Sequence, residues 1–164
     1  MKAYRVHEYG DAAKFIGEEV SKPSAKQGHV VVEVKASSLN PVDHKLLKCD
    51  LGINPALPGI LHMDVAGVIT EVGEGVTAFK TGDEVYGCAG GLRGKAGNIE
   101  GALADFMLAD SNLIALKPKS LSFSESAALP LVTITAWEGL FDRAQIKKED
   151  HVLVHGGTGG VGHI

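Results

Sequence analysis

The stretch DVAGVITEVGEGVTAFKTGDEVYG, Asp64 to Gly87, decides how this sequence folds. Val65 to Val72 is a run of β-branched and small apolar residues that stops at Gly73-Glu74-Gly75. Branched side chains suit a pleated, half-buried surface, and closely spaced glycines supply the backbone angles of tight corners. A second punctuation, Gly82-Asp83, leads into Glu84 to Tyr86. The segment reads as strand, corner, strand.

The same pattern continues on both sides. Upstream, His29 to Lys35 (HVVVEVK) is a valine-rich run with polar residues at both ends. Downstream, Ala102 to Leu108 and Leu113 to Leu116 read as further strands. Tyr4 and Tyr9 fall in a terminal hairpin, and Tyr86 reads as structural. One helical exception interrupts the series: Asn40 to Cys49 (NPVDHKLLKC), entered through Pro41 in its first turn. Strands at this spacing predict a mainly β, barrel-like or sandwich domain over residues 1–120.

The character changes near residue 120. Ser122-Phe123-Ser124-Glu125 is a capping box, followed by Ala127, Ala128, Leu129 and Leu131. Pro130 interrupts this helix or begins a second one, and Thr133 to Phe141 continues as an apolar helical stretch. A polar turn at Lys147 to Asp150 leads into HVLV, His151 to Val154, which predicts a strand running into HGGTGGVG.

Gly157-x-Gly159-x-x-Gly162 matches G-x-G-x-x-G directly after that predicted strand. In a dinucleotide-binding unit the first glycine permits the tight turn, the second lets a diphosphate approach the backbone, and the third lets the next helix pack. Free amides at the start of that helix favour an anion. Gly156 and Gly160 leave the register open, so Gly156, Gly157, Gly159, Gly160, Val161 and Gly162 are all candidate cofactor-binding residues. The alternative is a glycine turn with no ligand. The acidic residue that would bind a ribose falls roughly 20 positions on, past Ile164, so NAD against NADP stays open.

Composition excludes several classes. With 164 residues and 45% hydrophobic content, the chain suffices for one domain and part of another, and is no disordered tail. A net charge of −4 gives no footprint for nucleic acid. Cys49 and Cys88 are too few and too far apart for a structural zinc cluster and read as free thiols of a reducing compartment. No stretch approaches the roughly 20 apolar residues that span a bilayer, and MKAYRVHEYG has no signal-like run. The expectation is a cytoplasmic protein without a membrane or nucleic-acid partner.

Five segments in order, SSLNPVDHKL (37–46), DVAGVITEVGEGVTAFKTGDEVYG (64–87), GALADFMLAD (101–110), SAALPLVTITAWEGL (126–140) and HVLVHGGTGGVG (151–162), cover nearly the whole sequence. With them the chain resembles the N-terminal part of the medium-chain dehydrogenase/reductase superfamily, in its zinc-independent, zeta-crystallin-like quinone oxidoreductase branch. The resemblance implies a GroES-like barrel catalytic domain over 1–120. It implies a helical link with the first strand and glycine loop of an incomplete α/β Rossmann domain over 121–164, and a whole enzyme of about twice this length. It implies NADPH as cofactor, with NADH the other candidate, a small quinone or enone as hydride acceptor, and a homodimer.

By the same resemblance Asn40 and Asp43 are the candidate catalytic residues of the nicotinamide cleft, with Asn40 bonding the cofactor or a substrate carbonyl. Thr135 is a further candidate cofactor contact. Each has a plainer reading: Asn40-Pro41 as helix-start chemistry, Asp43 as first-turn charge, and Thr135 with its hydroxyl bonded to the preceding turn. Arg93 and Lys95, in a glycine-rich loop, are candidates for a cofactor-phosphate contact or for no contact at all.

Zinc-dependent relatives place a cysteine ligand where Asn40 stands, and a His-Glu pair at Met63 and Asp64. His62 is one residue out of register, which in a strand points it to the other face. No second cysteine cluster appears in residues 87–98. No zinc is expected and no metal ligand is assigned. The competing readings are a zinc-type alcohol dehydrogenase relative and a non-catalytic GroES-like interaction module. The apolar residues of 126–141 and 152–154 are expected to need cover, and uncovered they would promote association.

Overall fold

The structure is a computed structural model that describes residues 1–94 and 97–164. A long antiparallel sheet forms its backbone. Strand β3 (His29–Ser37) is paired on one side with the central strand β5 (Asp64–Val72) and on the other with the edge strand β9 (Phe106–Asp110). Beyond β5 come β6 (Glu84–Cys88) and β10 (Ile114–Leu116). A smaller sheet holds β1 (Lys2–Val6) between β2 (Ile16–Glu19) and β4 (Gly59–Ile60), and a bridge from Ala3 to Ala104 ties it to the rest. Strands β7 (Leu92–Gly94) and β8 (Gly97–Ile99) form a separate hairpin. The terminal hairpin expected around Tyr4 is β1 with β2.

Period-two alternation builds the core. Val30 and Val32 of β3 join Val65 and Ile69 of β5, Val85 of β6, and Met107 of β9 in one buried cluster. Sheet curvature comes from irregularities in the β3–β5 register, beside which the backbones close in on one another. At Gly67 a Cβ would lie 2.2 Å from the Glu33 carbonyl oxygen, so only glycine fits there.

Helix α1 (Pro41–Lys48) follows β3 directly, with Pro41 in its first turn as the sequence predicts. Helix α2 (Phe123–Ala127) starts at the Ser122–Glu125 capping box, with the Ser122 hydroxyl accepting from the Glu125 amide at 3.2 Å. It packs against β3, β5 and β6. Pro130 does begin a second helix, α3 (Pro130–Trp137), which continues as a π-helical turn over Glu138–Arg143. Lys117 fastens this link to the barrel. Its buried ammonium donates to the carbonyls of Pro118 (3.1 Å) and Leu121 (2.6 Å), and pairs with Glu84 at 3.1 Å.

One expectation fails. Residues 151–154 form no strand, and the glycine segment after them is a series of turns. A strand needs a neighbouring strand to take its N–H and C=O groups; among the described residues nothing pairs with HVLV. Leu153 is 80% exposed. Among the described residues, no helix is long and apolar enough to cross a membrane.

Candidate active site

Three segments converge where β3 ends, β5 begins and α3 begins. Ser37 ends β3 and the turn after it carries Ser38 and Asn40; β5 opens with Asp64; and the first turn of α3 supplies the Leu131 amide. Asp64 is fully buried. Its Oδ2 accepts from the Ser38 hydroxyl and from Asn40 Nδ2, each at 2.9 Å, and its Oδ1 accepts from the Leu131 N–H at 3.1 Å. Cys88 is its partner across the β5–β6 ladder.

Asn40 is 6% exposed and caps α1. One amide hydrogen is committed to Asp64; the other reaches Ser38 Oγ only at 3.4 Å, a long contact open to a better acceptor. Asp43 is buried and turned inward. Its Oδ2 accepts the Asn40 backbone N–H at 2.8 Å, while Oδ1 is buried without a hydrogen bond. This is the first-turn helix role that its position also allows.

His62 corrects the sequence reading. It is not in a strand: its φ is +73°, a left-handed conformation uncommon outside glycine. The alternation of faces therefore does not apply, and the ring stays near the cluster. Its Nδ1 lies 2.9 Å from Ser37 Oγ, and Phe15 meets it edge-on at 6.2 Å.

Burial dominates the electrostatics. Desolvation lifts the carboxyls of Asp43 and Asp64 above the ordinary carboxylate range, with hydrogen bonds from Asn40 pulling each back. Desolvation lowers His62, against the pull of both carboxylates. The Cys88 thiol is pushed up to about 12, by burial first and then by the Asp64 charge, so it is no nucleophile.

Beside Cys88 a groove of about 460 Å³ runs between β6, β10 and α3, lined by Tyr86, Leu113, Leu129, Pro130 and Thr133 among others. Thr135 is on the exposed side of α3, its hydroxyl donating to the Leu131 carbonyl at 2.7 Å. The glycine segment folds on itself. Gly156 has φ +75°, and a Cβ on Gly162 would strike the Gly156 carbonyl oxygen at 2.3 Å. Arg93 is exposed on β7, and Lys95 lies outside the described residues.

Residues 26–119 match the family described as the alcohol dehydrogenase GroES-like domain. The chain belongs to that family. Along its full length it is 42% identical to the 2-methylene-furan-3-one reductase of Solanum lycopersicum, of which it covers 42%. An alcohol dehydrogenase superfamily protein from Novosphingobium aromaticivorans superposes with a TM-score of 0.90 at 40% identity, over 99% of this chain and 48% of that one. The Escherichia coli quinone oxidoreductase, solved with NADPH, gives 0.81 at 27% identity over 99% and 47%. The chain thus spans about half the length of the relatives it matches, among them several quinone oxidoreductases.

Within this GroES-like family the chain's donor set decides what fits. Asn40 and Asp64 satisfy each other and Met63 offers only a weak thioether, so the residues do not fit a zinc ion. Among the described residues, no group of three His, Cys, Asp or Glu side chains is arranged to hold a metal. At the glycine loop a Cβ on Gly157 would meet nothing within 4 Å, so the backbone there is open to solvent.

The sequence reading picked out Asn40, Asp43 and Thr135. The structure brings Asn40 and Asp43 together and leaves Thr135 on the neighbouring helix. The reading missed Ser38, Cys88 and the Leu131 amide as partners of Asp64. One signal was available: an aspartate heading an otherwise apolar strand, DVAGVITEV, is out of place unless several donors surround it.

Proposed function

We propose that the full-length protein is an NADPH-dependent reductase of quinones or enones. The observation that carries this reading is the Asn40–Asp64 pair: an amide held by a buried carboxylate, at the position of a metal ligand in zinc-dependent relatives. Reductases match along the whole chain, which supports hydride delivery without a metal as the reaction class. Bound NADPH would supply that hydride.

The chain's own residues then take the following roles. Gly156, Gly157, Gly159, Gly160, Val161 and Gly162 would hold the diphosphate, the Gly159 amide first giving up its 2.8 Å bond to the Gly156 carbonyl. Thr135, one turn along α3 from Leu131, faces the nicotinamide. Asn40 offers its loosely held second amide hydrogen to the carbonyl of substrate or cofactor; negative charge develops on a conjugated carbonyl oxygen as hydride arrives, and a positioned donor stabilises it. Asp43 fixes the N-terminus of α1 and hence Asn40. Residues 1–120 form the catalytic barrel and 121–164 the link and start of the dinucleotide-binding domain. The whole protein is a homodimer of a reducing, cytoplasmic compartment, which suits the free thiols of Cys49 and Cys88.

The test is a panel of quinones, alkenals and furanones with NADPH and NADH, followed by loss of reduced-nicotinamide absorbance. Turnover with NADPH preferred is expected, and Asn40→Ala lowers kcat about a hundredfold. Absence of turnover with every acceptor, together with no NADPH binding, overturns the proposal.

A further inference from the structure

Asp64 reaches further than any pairwise role requires. Ser38 belongs to the turn after β3, Asn40 to the cap of α1, Cys88 to β6 and Leu131 to α3. Ser38, Asn40 and the Leu131 amide all donate to this one carboxylate, and Cys88 pairs with Asp64 across the β5–β6 ladder. Every donor is neutral, and among the described residues none of the ion pairs involves Asp64. A buried charge held only by neutral donors is a costly way to fasten segments together, since apolar packing would do that more cheaply. What a carboxylate adds is direction. Two oxygens offer about four acceptor positions, whereas an asparagine offers a single oxygen and would turn an NH2 toward the Leu131 N–H or the Asn40 amide hydrogen, neither of which can accept.

Two of these bonds fix the groups assigned to the cofactor. The bond to Asn40 Nδ2 sets the rotation of its amide. The bond to the Leu131 N–H holds the first turn of α3, and Leu131 in turn accepts the Thr135 hydroxyl. We propose that Asp64 is the positioning residue of the site: its carboxylate locks the Asn40 amide and the first turn of α3 to the same pair of oxygens, so that Asn40 and Thr135 are presented in fixed register. This rests on the reductase reading above, and it adds that the reaction depends on a residue that touches neither cofactor nor substrate. A misplacement of about 1 Å at a reacting centre is enough to cost about a hundredfold in rate.

The test uses the full-length protein, with sites counted by titration of bound NADPH fluorescence. In Asp64→Asn the site count is retained and kcat per site falls about tenfold or more. Asn40→Ala also lowers kcat. The double variant is no slower than the slower single one, because both substitutions remove the same oriented donor. A kcat for Asp64→Asn within about twofold of the parent, or losses that multiply in the double variant, overturns the proposal.

If Asp64→Asn does not fold, Ser38→Ala removes one donor and keeps the carboxylate. A loss of about two- to fivefold is expected with Asn40 present and none with Asn40→Ala. Equal loss in both backgrounds, or none in either, overturns it. The positioning claim also has a readout without turnover: the side-chain NH2 signals of Asn40 in nitrogen-edited NMR shift when Ser38 or Asp64 is substituted. A parent that reduces no acceptor sinks the reductase reading; Asn40 signals that do not move sink the positioning role.

Discussion

Two valine-rich runs headed by histidine end in opposite states. His29-Val30-Val31-Val32 opens β3, and all three valines are completely buried between β5 and β9. His151-Val152-Leu153-Val154 has the same character, forms no strand and leaves all three apolar side chains exposed. Intrinsic preference is therefore not the difference. The first run has a strand on each side to receive its backbone groups and a second layer to receive its side chains; the second has neither. The same contrast extends beyond the runs. The core valines of the barrel pack against one another, whereas Ile134, Trp137 and Phe141 on the link are exposed, as are Val152 and Leu153.

The sharpest way to break the comparison is to place one charge in each run. Val32→Asp puts a carboxylate into the core with no donor, at a cost of at least about 3 kcal/mol, enough to unfold much of the barrel. Val152→Asp changes stability by less than about 0.5 kcal/mol, because that side chain is already in water. Urea unfolding of both variants decides it. An equal cost would mean that residues 151–154 are packed after all.

This contrast also explains what could be read in advance. Strands β3, β5 and β6 and the cap at Ser122 were legible, because alternation and capping depend on residues within a few positions of one another. The HVLV strand was misread because pairing is supplied from elsewhere. The short strands β4, β7 and β8 lack enough length for a pattern. At the site, Asn40 and Asp43 were found through resemblance. Their network was not, because Asp64 is 24 residues from Asn40 and 67 from Leu131, and only folding brings them together. His62 was misplaced because a positive φ in a non-glycine residue leaves no mark in the local sequence.

A second test moves to the buried cluster. Cys49 is exposed, whereas Cys88 is half-buried with its thiol pushed up to about 12. Accessibility alone would let both react. The thiolate fraction of Cys88 near neutral pH is lower than that of an ordinary cysteine by roughly a thousandfold, partly offset by the greater nucleophilicity of a more basic thiolate. Labelling of Cys88 is therefore expected to be about a hundredfold slower than labelling of Cys49. Comparable rates by mass spectrometry would show that burial and the Asp64 charge do not suppress the Cys88 thiolate.

The seam between the two regions gives a smaller effect. Lys117→Met keeps the length of the stem but leaves the carbonyls of Pro118 and Leu121, and Glu84, without their donor. A loss of about 2 kcal/mol is expected, with faster hydrogen exchange at Ser126 and Leu129 of the link. Equal loss with unchanged exchange there would place the role of Lys117 inside the barrel alone.

The smallest effect separates charge from packing inside the site. Burial holds the Asp43 carboxyl above its ordinary range, and Asp64 pushes it further the same way, while the Asn40 N–H and His62 pull it back. The folded state therefore binds this proton more tightly than the unfolded chain does. Below about pH 4 both states are protonated and the stabilisation is complete; as pH rises through the folded-state pKa the folded form must ionise in a dry site, and stability is lost. Asp43→Asn cannot ionise but still offers an oxygen to the Asn40 N–H. Its stability relative to the parent should improve between about pH 4 and pH 7, by about 1.4 kcal/mol for each unit by which the pKa is raised. His62 acts in the opposite direction: burial lowers its pKa, so its protonation destabilises the folded state as pH falls below the ordinary histidine value. Running parent and variant in a His62→Gln background removes that contribution. If the difference between them then stays constant with pH, Asp43 is solvated like the residues of the uncovered C-terminal segment, and the distinction between a dry, closed site and an open link does not hold at this position.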